Sequence, residues 1–224
     1  MSTLLDLMTY IKSDLDLDTP DGEHPFISND EIKRHIRSSV KKCSSIIHNL
    51  YEDYYLNVVA LPVVAGTASY TLPTGIYANK IRRILYDDGS LSYRIDRIYD
   101  VNELPITDSN EDYRYILFNA VNPKITFYPT IRDTSATNIN IYFIRQTKNL
   151  VNDADIMDIP EFEDFVLADA KYRCLFKDFA NPIRQELKAE ADEQKQLMVQ
   201  SLSNREPNDQ TDIRGDITHY IDSI

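Results

Sequence analysis

The apolar residues of this 224-residue chain change period twice, and that change restricts the fold more than any other feature. Residues 3–15 carry Leu4, Leu7, Met8, Ile11 and Leu15 at helical steps, one buried face of a short helix. A longer run repeats the spacing with Ile32, Ile36, Val40, Cys43, Ile47, Leu50 and Tyr54. Ser28-Asn29-Asp30-Glu31 in front of it has the form of a capping box, with Ser28 as N-cap and Glu31 reaching back. From Asn57 the period falls to two, and helical spacing returns only after Asp158. A chain that alternates in its middle and winds at both ends predicts an α+β fold: a helical bundle interrupted by an antiparallel β domain, a small sandwich or open barrel, with an extended C-terminal tail.

Seven strands are expected, at Val58–Val64, Ser69–Leu72, Lys80–Tyr86, Leu91–Ile98, Tyr113–Phe118, Lys124–Tyr128 and Ile139–Arg145. Turn signals separate them, among them Ala65-Gly66-Thr67, Pro73-Thr74-Gly75 and Asn119-Ala120-Val121-Asn122-Pro123. Asp88-Gly89 between the third and fourth strands is the strongest hairpin signal. Beyond Asp158, Pro160 suits a first helical turn, and Glu161, Glu163 and Asp164 complement the positive end of a helix dipole. Phe162, Phe165, Val166, Ala170, Cys174 and Phe176 then form a broad apolar face. Asn181-Pro182 opens a last helix to about Leu202, whose narrow stripe of Ile183, Leu187, Ala191, Met198 and Leu202 suits a helix touching one neighbour.

Charge follows the same division. The net charge of −12 is spread unevenly: residues 57–147 hold nine acidic and nine basic side chains, whereas 1–56 hold ten against six, 148–203 twelve against seven and 204–224 five against two. The boundaries are therefore placed at 1–56 with 148–203 for the helical bundle, 57–147 for the inserted β domain, and 204–224 for the tail. An acidic balance argues against a surface built to grip nucleic acid, which needs clustered Lys and Arg. No apolar run approaches the roughly 18 residues of a membrane span. Met1-Ser2-Thr3-Leu4-Leu5-Asp6 lacks the basic region of a secretory leader. Cys43 and Cys174 each sit on an apolar helical position, which favours buried free thiols over a disulfide or metal site.

Catalytic signatures are not found. His24, His35, His48 and His219 form no metal-binding spacing, and neither a glycine-rich phosphate loop nor Gly-x-Ser-x-Gly occurs. The run Asp14-Leu15-Asp16-Leu17-Asp18 fails as a calcium loop, having Thr19 at the sixth position and Pro25 at the twelfth. Asp153, Asp155 and Asp158 read better as a polar lead-in to the helix at Pro160 than as a cation site or carboxylate pair. No catalytic residue, cofactor or metal is expected.

Two features point to partners instead. Lys80, Arg82, Arg83, Arg94 and Arg97 are the one basic concentration, spread over the expected hairpin. They are either ordinary strand faces or a contact surface for acidic neighbours, including the helical parts of an identical subunit. In the tail, Ile213, Ile217, Tyr220, Ile221 and Ile224 form an interrupted amphipathic pattern, read either as a frayed terminus or as a docking segment. The fifteen tyrosines suit core and interface alike.

The order of these parts resembles the head-to-tail connector, or adaptor, proteins of tailed phages, notably short-tailed and crAss-like ones. The likeness is carried by Ser28-Asn29-Asp30-Glu31-Ile32 opening a long helix that ends in aromatics, and by Tyr70-Thr71-Leu72-Pro73-Thr74-Gly75-Ile76 leading to Lys80-Ile81-Arg82-Arg83-Ile84. Lys124-Ile125-Thr126-Phe127-Tyr128-Pro129 and Ile159-Pro160-Glu161-Phe162 complete it. The resemblance covers about residues 3–200. It implies a structural virion protein assembled in the host cytoplasm, a ring of twelve copies between the portal and the tail or further ring proteins. DNA would pass through the channel without specific binding, and a C-terminal extension would wedge against the portal. Some relatives are described as degrading peptidoglycan, so a virion-associated peptidoglycan hydrolase is the alternative. No residue pair here matches that activity, and a non-enzyme is expected.

Overall fold

The computed structural model describes residues 1–17, 26–87, 92–99, 113–118, 123–131, 138–177 and 182–205. The chain divides into two units, Met1–Tyr54 with Thr147–Ile224, and Tyr55–Gln146. Helices and largely antiparallel sheets make up an α+β fold, as the change of period requires.

The first unit holds α1 (Leu4–Asp14), α2 (Asn29–Leu50), α3 (Glu163–Cys174) and α4 (Ile183–Ser203). Both α1 and α2 start at an N-cap hydroxyl. Thr3 Oγ1 accepts from the Asp6 N–H at 3.1 Å, and the Asp6 carboxylate accepts from the Thr3 N–H at 2.9 Å, a complete capping box. Ser28 Oγ accepts from the Glu31 N–H at 3.3 Å, while the Glu31 carboxylate engages Arg34 at 3.0 Å. Leu4, Leu7, Met8 and Ile11 of α1 and Ile32, Ile36, Val40, Cys43 and Ile47 of α2 are buried, as their spacing demands. The α2 stripe ends sooner than expected. Leu50 is exposed, and Tyr54 lies in the 3-10 turn Glu52–Tyr55 that follows.

Pro160 opens a 3-10 turn, Pro160–Phe162, which runs directly into α3. Of the apolar face read for this helix, Phe162, Phe165, Val166, Ala170 and Cys174 are buried, but Phe176 lies beyond α3 and is 53% exposed. α4 packs on both α3 and α2 rather than on one neighbour. Leu187, Ala191, Met198 and Leu202 enter that contact, with Met198 Sδ 3.7 Å from Cys43 Sγ. Ile183, at the first turn of α4, stays 49% exposed.

The second unit contains β1 (Leu56–Pro62), β2 (Ser69–Thr71), β3 (Ile76–Asp87), β4 (Ser92–Arg94), β5 (Asp96–Arg97), β6 (Arg114–Phe118), β7 (Lys124–Tyr128) and β8 (Asn138–Arg145). They form two four-stranded sheets, ordered β1-β8-β3-β4 and β2-β7-β6-β5. Their inward residues share one core, including Ile84, Tyr86, Ile95, Tyr115, Ile125, Phe127, Ile141 and Phe143, so the unit is a small sandwich. Gly66 (φ 74°) and Gly75 (φ 85°) take the left-handed conformation at the two turns flanking β2.

The sequence reading of one strand over Leu91–Ile98 is corrected. Ile95 turns into the core, and the segment splits between sheets: β4 pairs antiparallel with β3, and β5 pairs parallel with β6. The hairpin partners are Leu85↔Arg94, Tyr86↔Tyr93 and Asp87↔Ser92, while Asp88-Gly89 lies outside the described residues. β3 also begins before Lys80. Its extra turn contains the left-handed pair Ala78 (φ 48°) and Asn79 (φ 54°), which places residues 77–80 opposite the single residue Ile144.

Candidate functional site

Among the described residues, the acidic clusters are engaged in structural bonding. Asp169 is buried between α2 and α3. Its carboxylate accepts from Ser39 Oγ at 2.7 Å, Lys42 Nζ at 2.5 Å and Arg173 Nε at 2.6 Å, and Arg173 also donates to Ser38 Oγ at 3.1 Å. Burial acts to raise this carboxyl, but the three donors outweigh it and hold it below the usual range. No sequence motif marks Asp169. The one local signal was the Asp169–Arg173 spacing of four on a helix; the α2 donors are 127 and 130 residues away in sequence.

The Asp153, Asp155 and Asp158 cluster is a scaffold for the start of α1. Asp155 Oδ2 accepts from the N–H groups of Val151 at 2.7 Å and Asn152 at 2.8 Å, and those bonds hold its carboxyl below the ordinary value. Asp153 pairs with Lys33 at 2.6 Å, and Asp158 accepts from the Lys148 N–H at 3.1 Å. The loop so fixed offers the carbonyls of Asp155 and Asp153 to the N–H groups of Leu4 and Leu5, at 3.0 and 3.1 Å.

Glu161 pairs with Arg205 at 2.6 Å, and Glu163 accepts from Ser2 Oγ at 2.6 Å. A glycosidase-type acid needs a carboxyl raised by its surroundings. Asp6, Asp155 and Asp169 are all shifted the other way. Burial pushes the Cys43 and Cys174 thiols up to about 12, so neither is a thiolate nucleophile at neutral pH. Among the described residues, no group of three or more His, Cys, Asp or Glu is placed to hold a metal ion, and no helix is long and apolar enough to cross a membrane.

The five basic strand residues are distributed over both sheets. Lys80, Arg82 and Arg83 lie on β3, Arg94 on β4 and Arg97 on β5, all exposed. Register decides which of them meet. Ile81 pairs with Phe143 and Arg83 with Tyr142, so Arg82 is the extra residue of a β-bulge. Partners across an antiparallel ladder share a face. Arg83 therefore shares one with Tyr142 and Val58, while Arg94 joins Leu85, Asn140 and Ala60. This is the face turned away from the sandwich core, which takes Val59, Leu61, Ile84, Tyr86, Ile139 and Ile141.

Arg83 and Arg94 thus share an outer sheet face with an apolar row along β1, where Leu56 and Val58 are 47% and 49% exposed. Lys80 stacks over Tyr77 at 5.7 Å, and Arg97 over Tyr99 at 4.9 Å on the second sheet. The tail residues Ile213, Ile217, Tyr220, Ile221 and Ile224 lie outside the described residues.

The site-like features found among the described residues are surfaces with charge and apolar area. No curated protein matches the chain. The family described as SU10 adaptor protein matches it over residues 2–216, almost from end to end, and the chain belongs to that family.

Proposed function

We propose that this protein is a head-to-tail adaptor that closes into a ring between the portal and the tail, twelve copies around a channel through which DNA passes unbound. As a member of the SU10 adaptor family it is a structural phage adaptor protein, and that membership carries the reading. The ring, its stoichiometry and its partners extend it. Residues 204–224 dock on the portal through Ile213, Ile217, Tyr220, Ile221 and Ile224. Further ring or tail proteins meet the opposite end. The protein is made in the host cytoplasm and ends in the virion.

The charge distribution supports a passive channel. The parts flanking the β segment carry the whole net charge of −12, and an acidic wall repels the DNA backbone, so the duplex slides without adhering. Among the described residues, Asp155 and Asp169 serve the start of α1 and a buried ion network.

Light scattering of the full chain, alone and with its portal protein, tests the proposal. The expected result is a small species alone and a large, defined particle on addition of portal. A chain that ignores the portal and clears peptidoglycan in a zymogram would overturn it. Deleting residues 204–224 should abolish portal attachment and leave the thermal transition of the remaining fold in place. Undiminished attachment would remove the docking role of the tail.

A further inference from the structure

We infer that the outer face of the sheet β1-β8-β3-β4 receives the solvent-facing stripe of α4 from a neighbouring copy. The inference rests on the ring reading above and names the two surfaces that meet.

The stripe on α4 consists of Ile183, Glu186, Glu190, Glu193 and Leu197, at steps of three, four, three and four. These steps keep one side of a helix over a length of about 21 Å. All five residues are exposed, and the stripe is separate from Leu187, Ala191, Met198 and Leu202, which enter the bundle. Ile183 and Leu197, about half exposed, bracket the three glutamates. Within the described residues Glu186 and Glu193 make no ion pair, and Glu190 reaches Lys171 only at 3.9 Å. A helix that already buries one stripe has no intramolecular need for a second of this form.

The sheet face matches this pattern in chemistry. Leu56, Val58, Ala60 and Pro62 form its apolar side on β1, and Arg83 and Arg94 its basic side on β3 and β4, with Tyr142 and Leu85 between. Arg83 makes no ion pair among the described residues. Arg94 holds Asp96 at 2.9 Å at an exposed position, a bond weak enough to exchange for an incoming carboxylate. Opposed charges of this kind fix register, and the apolar rows supply the area removed from water.

The edge of the sheet is a poorer contact than its face. Along β1, the Val58 N–H is already taken by Asn57 Oδ1 at 2.9 Å, and Pro62 has no N–H to offer. A strand added there would find an incomplete ladder. The face and the α4 stripe are also different surfaces, so the contact is head-to-tail, the kind that builds a ring where its rotation closes.

Charge reversal tests the pairing in the full chain, with assembly on the portal read by sedimentation velocity. Arg83→Glu with Arg94→Glu, and separately Glu186→Lys with Glu193→Lys, should each weaken ring formation about ten-fold or more, the more so at low salt. All four substitutions in one chain should restore assembly to within about three-fold of the parent, because both partners are inverted together. All four substituted positions are exposed, and unchanged thermal transitions will show that the fold is intact. Parent-like assembly of either double variant, or a quadruple variant as weak as the doubles, would overturn the pairing. A parent chain that never assembles would instead sink the ring reading, so the two failures are distinct.

Discussion

Lys42 Nζ lies 2.5 Å from Asp169 Oδ1 and joins α2 to α3 through a carboxylate that is almost completely buried. A charge in that position is tolerated only because Ser39 and Arg173 complete its bonding. Replacing Asp169 with Ala leaves two cations and a hydroxyl facing an empty site. The expected cost is about 3 kcal/mol or more in urea unfolding, with the slope unchanged. A loss under about 1 kcal/mol would show that the network is not closed in solution.

The same carboxylate sets an acid limit. Its proton affinity in the fold lies below the ordinary value of 3.8 expected of the unfolded chain. The stability it contributes is therefore complete above that value and declines as the pH falls through the lower folded one. Stability measured from about pH 5 downward should fall more steeply in the parent than in Asp169→Asn. Parallel curves would contradict the assignment.

The two thiols should be silent. Cys43 touches Met198 across α2 and α4, and burial pushes both Cys43 and Cys174 up to about 12. At pH 8 almost none of either is thiolate, and reagent must wait for the fold to open. Ellman's reagent should label neither cysteine within minutes in the native protein and both at once in denaturant. Rapid native labelling of Cys43 would mean that α4 does not stay packed on α2.

Thr3 closes a capping box with Asp6, and its backbone also bridges to Ile156. Thr3→Ala removes the side-chain half of this anchor at a cost of about 1 kcal/mol. Hydrogen exchange should quicken in the first turn of α1 while the core of α2 stays protected. Uniform quickening across both helices would show that α1 is needed for the whole unit to hold.

Much of this fold could be read from the sequence because local rules decided it. The steps of Ile32, Ile36, Val40, Cys43 and Ile47 have one helical solution, and those residues are buried as read. Lys124–Tyr128 is a strand with the bounds its alternation gives. Periodicity failed where it could not say what an apolar residue faces. Phe176 and Ile183 continue their stripes in sequence, yet Phe176 lies in the turn beyond α3 and Ile183 at the first residue of α4, both outside the packed stretch. Leu91–Ile98 alternates like one strand, but Ile95 passes into the core and sends its two halves to different sheets. The candidate contact face was the least legible part. Arg83 joins Val58 and Tyr142 only through a register that includes a bulge, and nothing local to Arg82-Arg83 reports the pairing with β8.

That bulge allows a test by deletion. Arg82 and Arg83 together stand opposite Tyr142, with Ile81 paired to Phe143 on one side and Ile84 to Ile141 on the other. Ile81 and Ile84 both face the core because one residue between them is surplus. Removing Arg82 would leave a regular ladder with every inward side chain still inward. Removing Leu85, three positions on, would shift Ile84 into an outward position or drag Tyr86 out of the core. At roughly 1.5–3 kcal/mol for each large apolar side chain lost from the interior, the second deletion should unfold the β unit, whereas the first should cost about 1 kcal/mol. Near-ultraviolet circular dichroism over a thermal ramp separates the two. If deleting Arg82 is as damaging as deleting Leu85, the extra residue is not surplus, and the face shared by Arg83, Tyr142 and Val58 does not exist as described.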